Sequence, residues 1–158
     1  SPRADEELFI EFCEDFEYTP VIFEAFQTVG TERKLIYHTN VMMSVGETFA
    51  IICAESIDDK KERKIVLDSL RGDEKEIILI TEEQVNNFAG NMLEVRGADD
   101  KRYLAMSTSA YNSLTKKQIA QIEEHVTILS SSLDTIEACG GGSARCMMAE
   151  IFLPKKQD

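Results

Sequence analysis

Cys146 closes the run Gly140-Gly141-Gly142-Ser143-Ala144-Arg145-Cys146, with Met147 and Met148 after it. Three glycines leave bare backbone that a ligand can approach more closely than any side-chain-bearing segment permits. The guanidinium of Arg145 favours the thiolate of its neighbour, the form of cysteine that attacks carbon. Together these residues read as a nucleophile's pocket. A second reading stays open, in which the glycines form a loop and Cys146 opens a buried apolar strand, Cys146 to Leu153.

A thiol nucleophile needs a proton carrier, and the chain has two histidines. His38 lies in Tyr37-His38-Thr39-Asn40, just before an apolar run. His125 ends the charged stretch Gln121-Ile122-Glu123-Glu124, where the negative end of a helix dipole accounts for it. His38 and Cys146 are therefore the pair expected to converge, an imidazole and a thiol being the minimum set for covalent catalysis near neutral pH. Cys13, beside Phe9, Phe12 and Phe16 on one helical face, and Cys53, ending the apolar run from Phe49, are expected in the core. A Cys139–Cys146 disulfide across the glycine loop is sterically conceivable, but reduced thiols suit an intracellular chain better. With no C-x-x-C and two histidines, no zinc pattern arises, and neither metal nor cofactor is expected.

The elements that must hold these groups follow from periodicity. Ala4 to Glu17 carries apolar residues at helical spacing, and Val21 to Phe26 reads as a strand. Asn40 to Val45 and Thr48 to Cys53 flank Gly46-Glu47 as a hairpin; a helix over Asp58 to Leu70 and a strand over Glu76 to Ile80 follow. The same order returns as Asn91 to Val95, Arg102 to Ser107, a helix from Thr115 to about His125, and Val126 to Leu129. Unit starts at Asn40, Asn91 and Cys146 lie 51 and 55 residues apart, so strand–strand–helix–strand repeats every fifty or so residues. The expected divisions are an earlier repeat's tail over 1–38, repeats over 39–80 and 90–130, and the start of an incomplete repeat over 140–154. Stacked repeats bury their faces against neighbours, so this arrangement implies roughly half of a ring completed by further chain or by a second copy.

Bulk composition limits the partners. The 158 residues, 43% hydrophobic, suffice for one domain with a core, and a formal charge of -12 repels nucleic acid and anionic lipid while drawing in cations. No apolar stretch approaches the roughly 20 residues of a membrane span and no signal peptide is evident, so a cytoplasmic protein is expected, with neither membrane nor nucleic acid as partner.

The Gly-Gly-Gly-Ser-Ala-Arg-Cys-Met motif at 140–147 resembles the cysteine motif of arginine deiminases and their relatives, the guanidine-modifying or pentein superfamily, which includes amidinotransferases. Tyr37-His38-Thr39-Asn40-Val41-Met42-Met43, Cys53-Ala54-Glu55-Ser56-Ile57 and Thr81-Glu82-Glu83-Gln84 leading to Gly90-Asn91-Met92-Leu93 extend the resemblance to the citrulline-utilisation-type branch over nearly the whole chain. It implies an α/β (α+β) fold of ββαβ units, about half of a five-bladed α/β propeller, with this chain as the C-terminal half of a longer protein. It further implies that Cys146 attacks a guanidinium carbon to give a covalent amidino intermediate while His38 serves as acid and base. Asn40, Asn91, Gly141, Gly142 and Arg145 would contact a small arginine-like guanidino substrate. Hydrolysis or amidine transfer would follow. Two departures accompany the match: Asn40 stands where many deiminases carry an aspartate, and the family draws guanidinium-gripping carboxylates partly from an N-terminal half. Glu82 and Glu83 read instead as first-turn helix residues behind a Thr81 cap. A non-catalytic pentein module and a cysteine hydrolase of esters or amides are the competing functions.

Overall fold

Asp5 accepts a hydrogen bond from the Leu8 amide at 2.9 Å and so starts α1 (Glu6–Asp15) in the computed structural model, which describes residues 4–151. Of the apolar residues on this helix Cys13 alone is buried, as expected; Phe9, Phe12 and the capping Phe16 on the same face are 43%, 51% and 61% exposed. Phe12 and Phe16 pack on each other instead, with ring centroids 4.7 Å apart.

The strand expected over Val21 to Phe26 is displaced. A hairpin begins where that strand was to end, with β1 (Phe26–Val29) antiparallel to β2 (Glu32–Leu35) and Gly30 taking φ 66 in the turn. Its cohesion is ionic rather than apolar. The Arg33 guanidinium pairs with both Asp58 and Glu82, and Thr28 Oγ1 donates to Glu82 at 2.9 Å. Burial pushes the Glu82 carboxyl up, but the bonds from Arg33 and Thr28 outweigh it and hold the group below the ordinary range.

Two three-stranded sheets then form with one pattern. β3 (Met43–Val45) runs antiparallel to β4 (Phe49–Ile52); α2 (Lys60–Gly72) crosses over and returns β5 (Glu76–Leu79) parallel to β4. Asp59 caps α2 through the Lys61 and Glu62 amides, which hold its carboxyl below its usual value. After the short α3 (Glu82–Asn86), β6 (Leu93–Arg96) pairs antiparallel with β7 (Arg102–Ser107). Here α4 (Thr108–Ser113) and α5 (Lys116–Glu123) make the crossover, and β8 (Thr127–Ser131) returns parallel to β7. The sheet orders are β3-β4-β5 and β6-β7-β8.

One core joins the two sheets. Phe49, Ile51, Ile52, Met92, Leu104 and Ile122 are all 0% exposed, each side chain stabilising the fold by about 1.5–3 kcal/mol. Two capping boxes, Thr81 with Gln84 and Thr115 with Gln118, start α3 and α5. They also face each other: Gln84 Nε2 donates to Gln118 Oε1 at 2.8 Å, and Gln118 Nε2 donates back to Gln84 Oε1 at 3.0 Å. His125, just beyond α5, bonds Thr48 Oγ1 at 2.9 Å and Glu76 at 3.1 Å and lies 5.2 Å from the Phe49 ring. It ties the end of α5 to the first sheet.

The strand expected over Cys146 to Leu153 does not form across its described part. Arg145–Met147 is a 3-10 turn, the residues from Met148 to Ile151 carry no strand, and positions 152–153 lie outside the described residues. None of β1–β8 pairs with this segment, so its backbone has no ladder partner among the described strands. Among the described residues no helix is long and apolar enough to cross a membrane.

Candidate active site

The glycine segment is built by the end of α6 (Asp134–Gly140), where Gly141 takes φ 67 and closes the helix as a left-handed cap. Ser143, fully buried, donates to Glu137 Oε1 at 2.6 Å, and Ser109 donates to Glu137 Oε2 at 2.8 Å. That carboxylate pins the loop to α4. At Gly142 a Cβ would stand 2.9 Å from Cys146 Cβ and 3.1 Å from its Sγ, so only glycine leaves room for the thiol. Cys146 itself is exposed, as its place in the 3-10 turn dictates, and the buried-strand reading of this thiol fails.

The Sγ atom sits among amides. Asn91 Nδ2 donates to it at 3.1 Å and Asn40 Nδ2 at 3.6 Å. Asn40, Asn91 and Cys146 are the three expected unit starts, so these edges meet at one point. Gly90 permits the meeting, because a Cβ there would come 2.3 Å from the Val41 carbonyl. Asn91 is buried, and its side chain is fully engaged by the chain. It also donates to the Asn40 carbonyl at 3.1 Å and accepts from the Ser143 and Cys146 amides at 3.2 and 3.4 Å.

A cleft of about 190 Å³ opens at this sulfur, lined by Cys146, Asn91, Gly141 and Gly142. Gln27 from β1, Tyr37, Val41 and Phe88 line it as well. Phe88 holds φ 64, a left-handed conformation that costs a residue with a Cβ about 1–2 kcal/mol. Sequence periodicity had no means of finding Gln27 or Phe88, which come from a hairpin and a loop. Tyr37 is signalled only by its place beside His38.

His38 lines the neighbouring cavity, about 330 Å³, which also has Tyr37 in its wall. His38 itself is extended (φ -155, ψ 132) and follows a bend at Tyr37. Tyr37 borders both cavities and so separates the imidazole from the thiol's cleft. The imidazole is exposed, and its Nδ1 accepts from the Asn40 amide at 3.4 Å, capping the 3-10 turn Thr39–Val41. Arg145 enters through its backbone, which donates to the Asn91 carbonyl at 3.3 Å; its guanidinium forms no ion pair among the described residues. Cys139 is exposed and both it and Cys146 are free thiols. No group of three or more His, Cys, Asp or Glu is placed to hold a metal ion among the described residues.

A family model described as N,N dimethylarginine dimethylhydrolase, eukaryotic, matches residues 1–153. Among solved structures, the apo crystal structure of ArgZ, an arginine dihydrolase from the ornithine-ammonia cycle in cyanobacteria, is similar in fold. Its TM-score is 0.53 at 16% identity, covering 70% of this chain and 16% of that one. No curated protein sequence gives a significant match.

Proposed function

Since this chain belongs to the N,N dimethylarginine dimethylhydrolase family, within the guanidine-modifying superfamily, we propose that it carries the nucleophilic part of a guanidino-group hydrolase. The observation that supports this reading is an exposed thiol, Cys146, received by two amide N–H groups where three unit edges meet.

In the proposed reaction the Cys146 sulfur attacks the guanidinium carbon of an arginine-like substrate, forming a C–S bond. His38 protonates the departing amine as the C–N bond breaks. Water then attacks the amidino carbon, His38 takes its proton, and the C–S bond cleaves to return the thiol and release a ureido product. His38 is exposed on the neighbouring cavity, so in the proposed reaction its imidazole changes rotamer to turn toward the sulfur, a contact of the kind that tightens only with substrate bound. Asn40, Gly141 and Gly142 border the substrate's position.

The described wall of the thiol's cleft offers amides, aromatic rings and glycines rather than a carboxylate. The countercharge to the guanidinium then comes from elsewhere. We take the two sheets as repeats of a five-bladed α/β ring, about half complete, with residues 1–38 as an earlier repeat's tail and 140–154 as the start of the next. Further chain or a second copy supplies the missing carboxylates.

The test compares chloroacetamidine, a cationic alkylating amidine, with neutral chloroacetamide on the whole chain. Preferential modification of Cys146 by the amidine supports a guanidinium site. Equal rates with both reagents, together with failure of any added partner to yield ureido product from dimethylarginine or arginine, favour the non-catalytic module. Turnover by the chain alone is expected to be negligible, since positioning accounts for roughly 7–11 kcal/mol of a barrier. Ureido formation by the monomer at ordinary rates of about 1–1000 per second would show that the binding groups are already present.

A further inference from the structure

The sequence pattern groups Asn91 with substrate-contacting residues, but its geometry leaves no part of its side chain for a substrate. The Oδ1 atom accepts from the Ser143 and Cys146 backbone amides, at 3.2 and 3.4 Å. Two N–H groups aimed at one end of a carboxamide fix which end is oxygen, so the amino end must be the one turned to sulfur. That Nδ2 has two acceptors, the Asn40 carbonyl and Cys146 Sγ, each at 3.1 Å. Its backbone is used too: the Asn91 carbonyl accepts from the Arg145 amide at 3.3 Å. At 4% exposure, this one residue ties together the starts of all three units.

We infer that Asn91 is a positioning residue for Cys146: its carbonyl end holds the 3-10 turn in place, and its amino end directs an N–H at the sulfur that attacks carbon. The inference rests on Cys146 being the nucleophile. A buried donor near sulfur acts at short range in a poorly screened setting, so it counts for more than the Arg145 guanidinium, which makes no ion pair among the described residues. Asn40, the corresponding residue one unit earlier, adds a longer contact at 3.6 Å and is half-buried.

Asn91→Asp separates the two functions, because a carboxylate keeps the acceptor end and replaces the donor with negative charge. The measurement is the rate of iodoacetamide alkylation of Cys146 in the whole chain at neutral pH, read by peptide mass spectrometry with exposed Cys139 as internal reference. In the wild type Cys146 reacts faster than Cys139, and Asn91→Asp slows Cys146 about tenfold, because the N–H aimed at the sulfur is lost and a carboxylate takes its place, leaving Cys139 unchanged. A residue that merely braced the turn keeps its acceptor end in Asn91→Asp and would leave the Cys146 rate unchanged. Unchanged or faster alkylation in Asn91→Asp overturns the inference. Wild-type Cys146 no faster than Cys139 counts instead against the nucleophile reading. Should Asn91→Asp not fold, the wild type supplies the readout by NMR. The Asn91 side-chain amide resonances shift on alkylation of Cys146 if the N–H engages sulfur, and stay in place if it does not.

Discussion

Cys53 and Cys146 are two free thiols in opposite settings. Cys53 follows β4, is wholly buried, and donates its backbone N–H to the Met42 carbonyl at 2.9 Å. Burial pushes its thiol up against the opposing hydrogen bonds of Ser56, so it behaves as a small apolar side chain. Cys146 lies in a short 3-10 turn after glycines, open to solvent on one side and faced by amide N–H groups on the other. The contrast shows that reactivity is assigned by what the backbone does around a cysteine. A regular strand delivers the thiol to the core; a turn held by a buried asparagine delivers it to a cleft.

The sharpest break in that contrast is Cys146→Ser. Under the proposed function, turnover of the hydrolase reconstituted with its partner falls on the order of 10⁴-fold or more, and melting shifts only within the range of a surface substitution, about 0.5 kcal/mol. Calorimetry and ureido assay on the same samples check both halves. Cys53→Ser is expected to do the reverse, losing about 1–3 kcal/mol of stability because a polar hydroxyl replaces an apolar thiol packed in the core, with Cys146 alkylation unaltered. Equal destabilisation by the two serine variants would erase the distinction.

Gly142→Ala sharpens it at the level of one methyl. The added Cβ meets the cysteine Cβ at 2.9 Å, so the turn must shift, at about 1–3 kcal/mol, and the alkylation rate of Cys146 changes while that of Cys139 does not. The smallest effect falls on the hairpin behind the cleft. Glu82 is held below its ordinary 4.5 by Arg33 and Thr28, despite the opposing effect of burial. A depressed folded value means the stabilisation is present above the unfolded value and is lost as pH falls through the folded one. Lowering the pH from 7 through the region under 4.5 therefore reduces the melting temperature, and Glu82→Gln makes that acid limb shallower. An acid limb identical in both proteins would show that the hairpin is held by other contacts.

Much of the scaffold was legible because its signals are local. Asp59 before α2 and the Thr115–Gln118 box before α5 announce helix starts within four residues. The apolar run Phe49–Ile52 announces a strand, and the meeting of Asn40, Asn91 and Cys146 follows from their spacing. The β1–β2 hairpin was not legible, since Thr28, Glu32, Arg33 and Lys34 show no apolar alternation and its anchors, Asp58 and Glu82, lie 25 and 49 residues from Arg33. The exposure of the α1 phenylalanines was hidden for a related reason: helical periodicity shows which face is apolar and says nothing about what covers it. At the site, residue types were readable but not their tasks. The burial that consumes the Asn91 side chain, the placement of His38 on the neighbouring cavity, and the left-handed Phe88 all depend on tertiary placement.

The reciprocal glutamines at the starts of α3 and α5 make the two sheets depend on each other. Gln84 also donates to the Ser113 carbonyl and Gln118 to the Leu79 carbonyl, both at bonding distance, so each amide serves its own helix and its neighbour's loop at once. In an array of autonomous modules each can fray alone, with stability close to a sum of parts. Here the capping glutamine of α3, which links the two sheets, is bonded to the capping glutamine of the crossover helix α5. Opening either strands a polar group in a buried setting, which makes a half-melted molecule a poorly populated species and binds the two sheets into a single melting event.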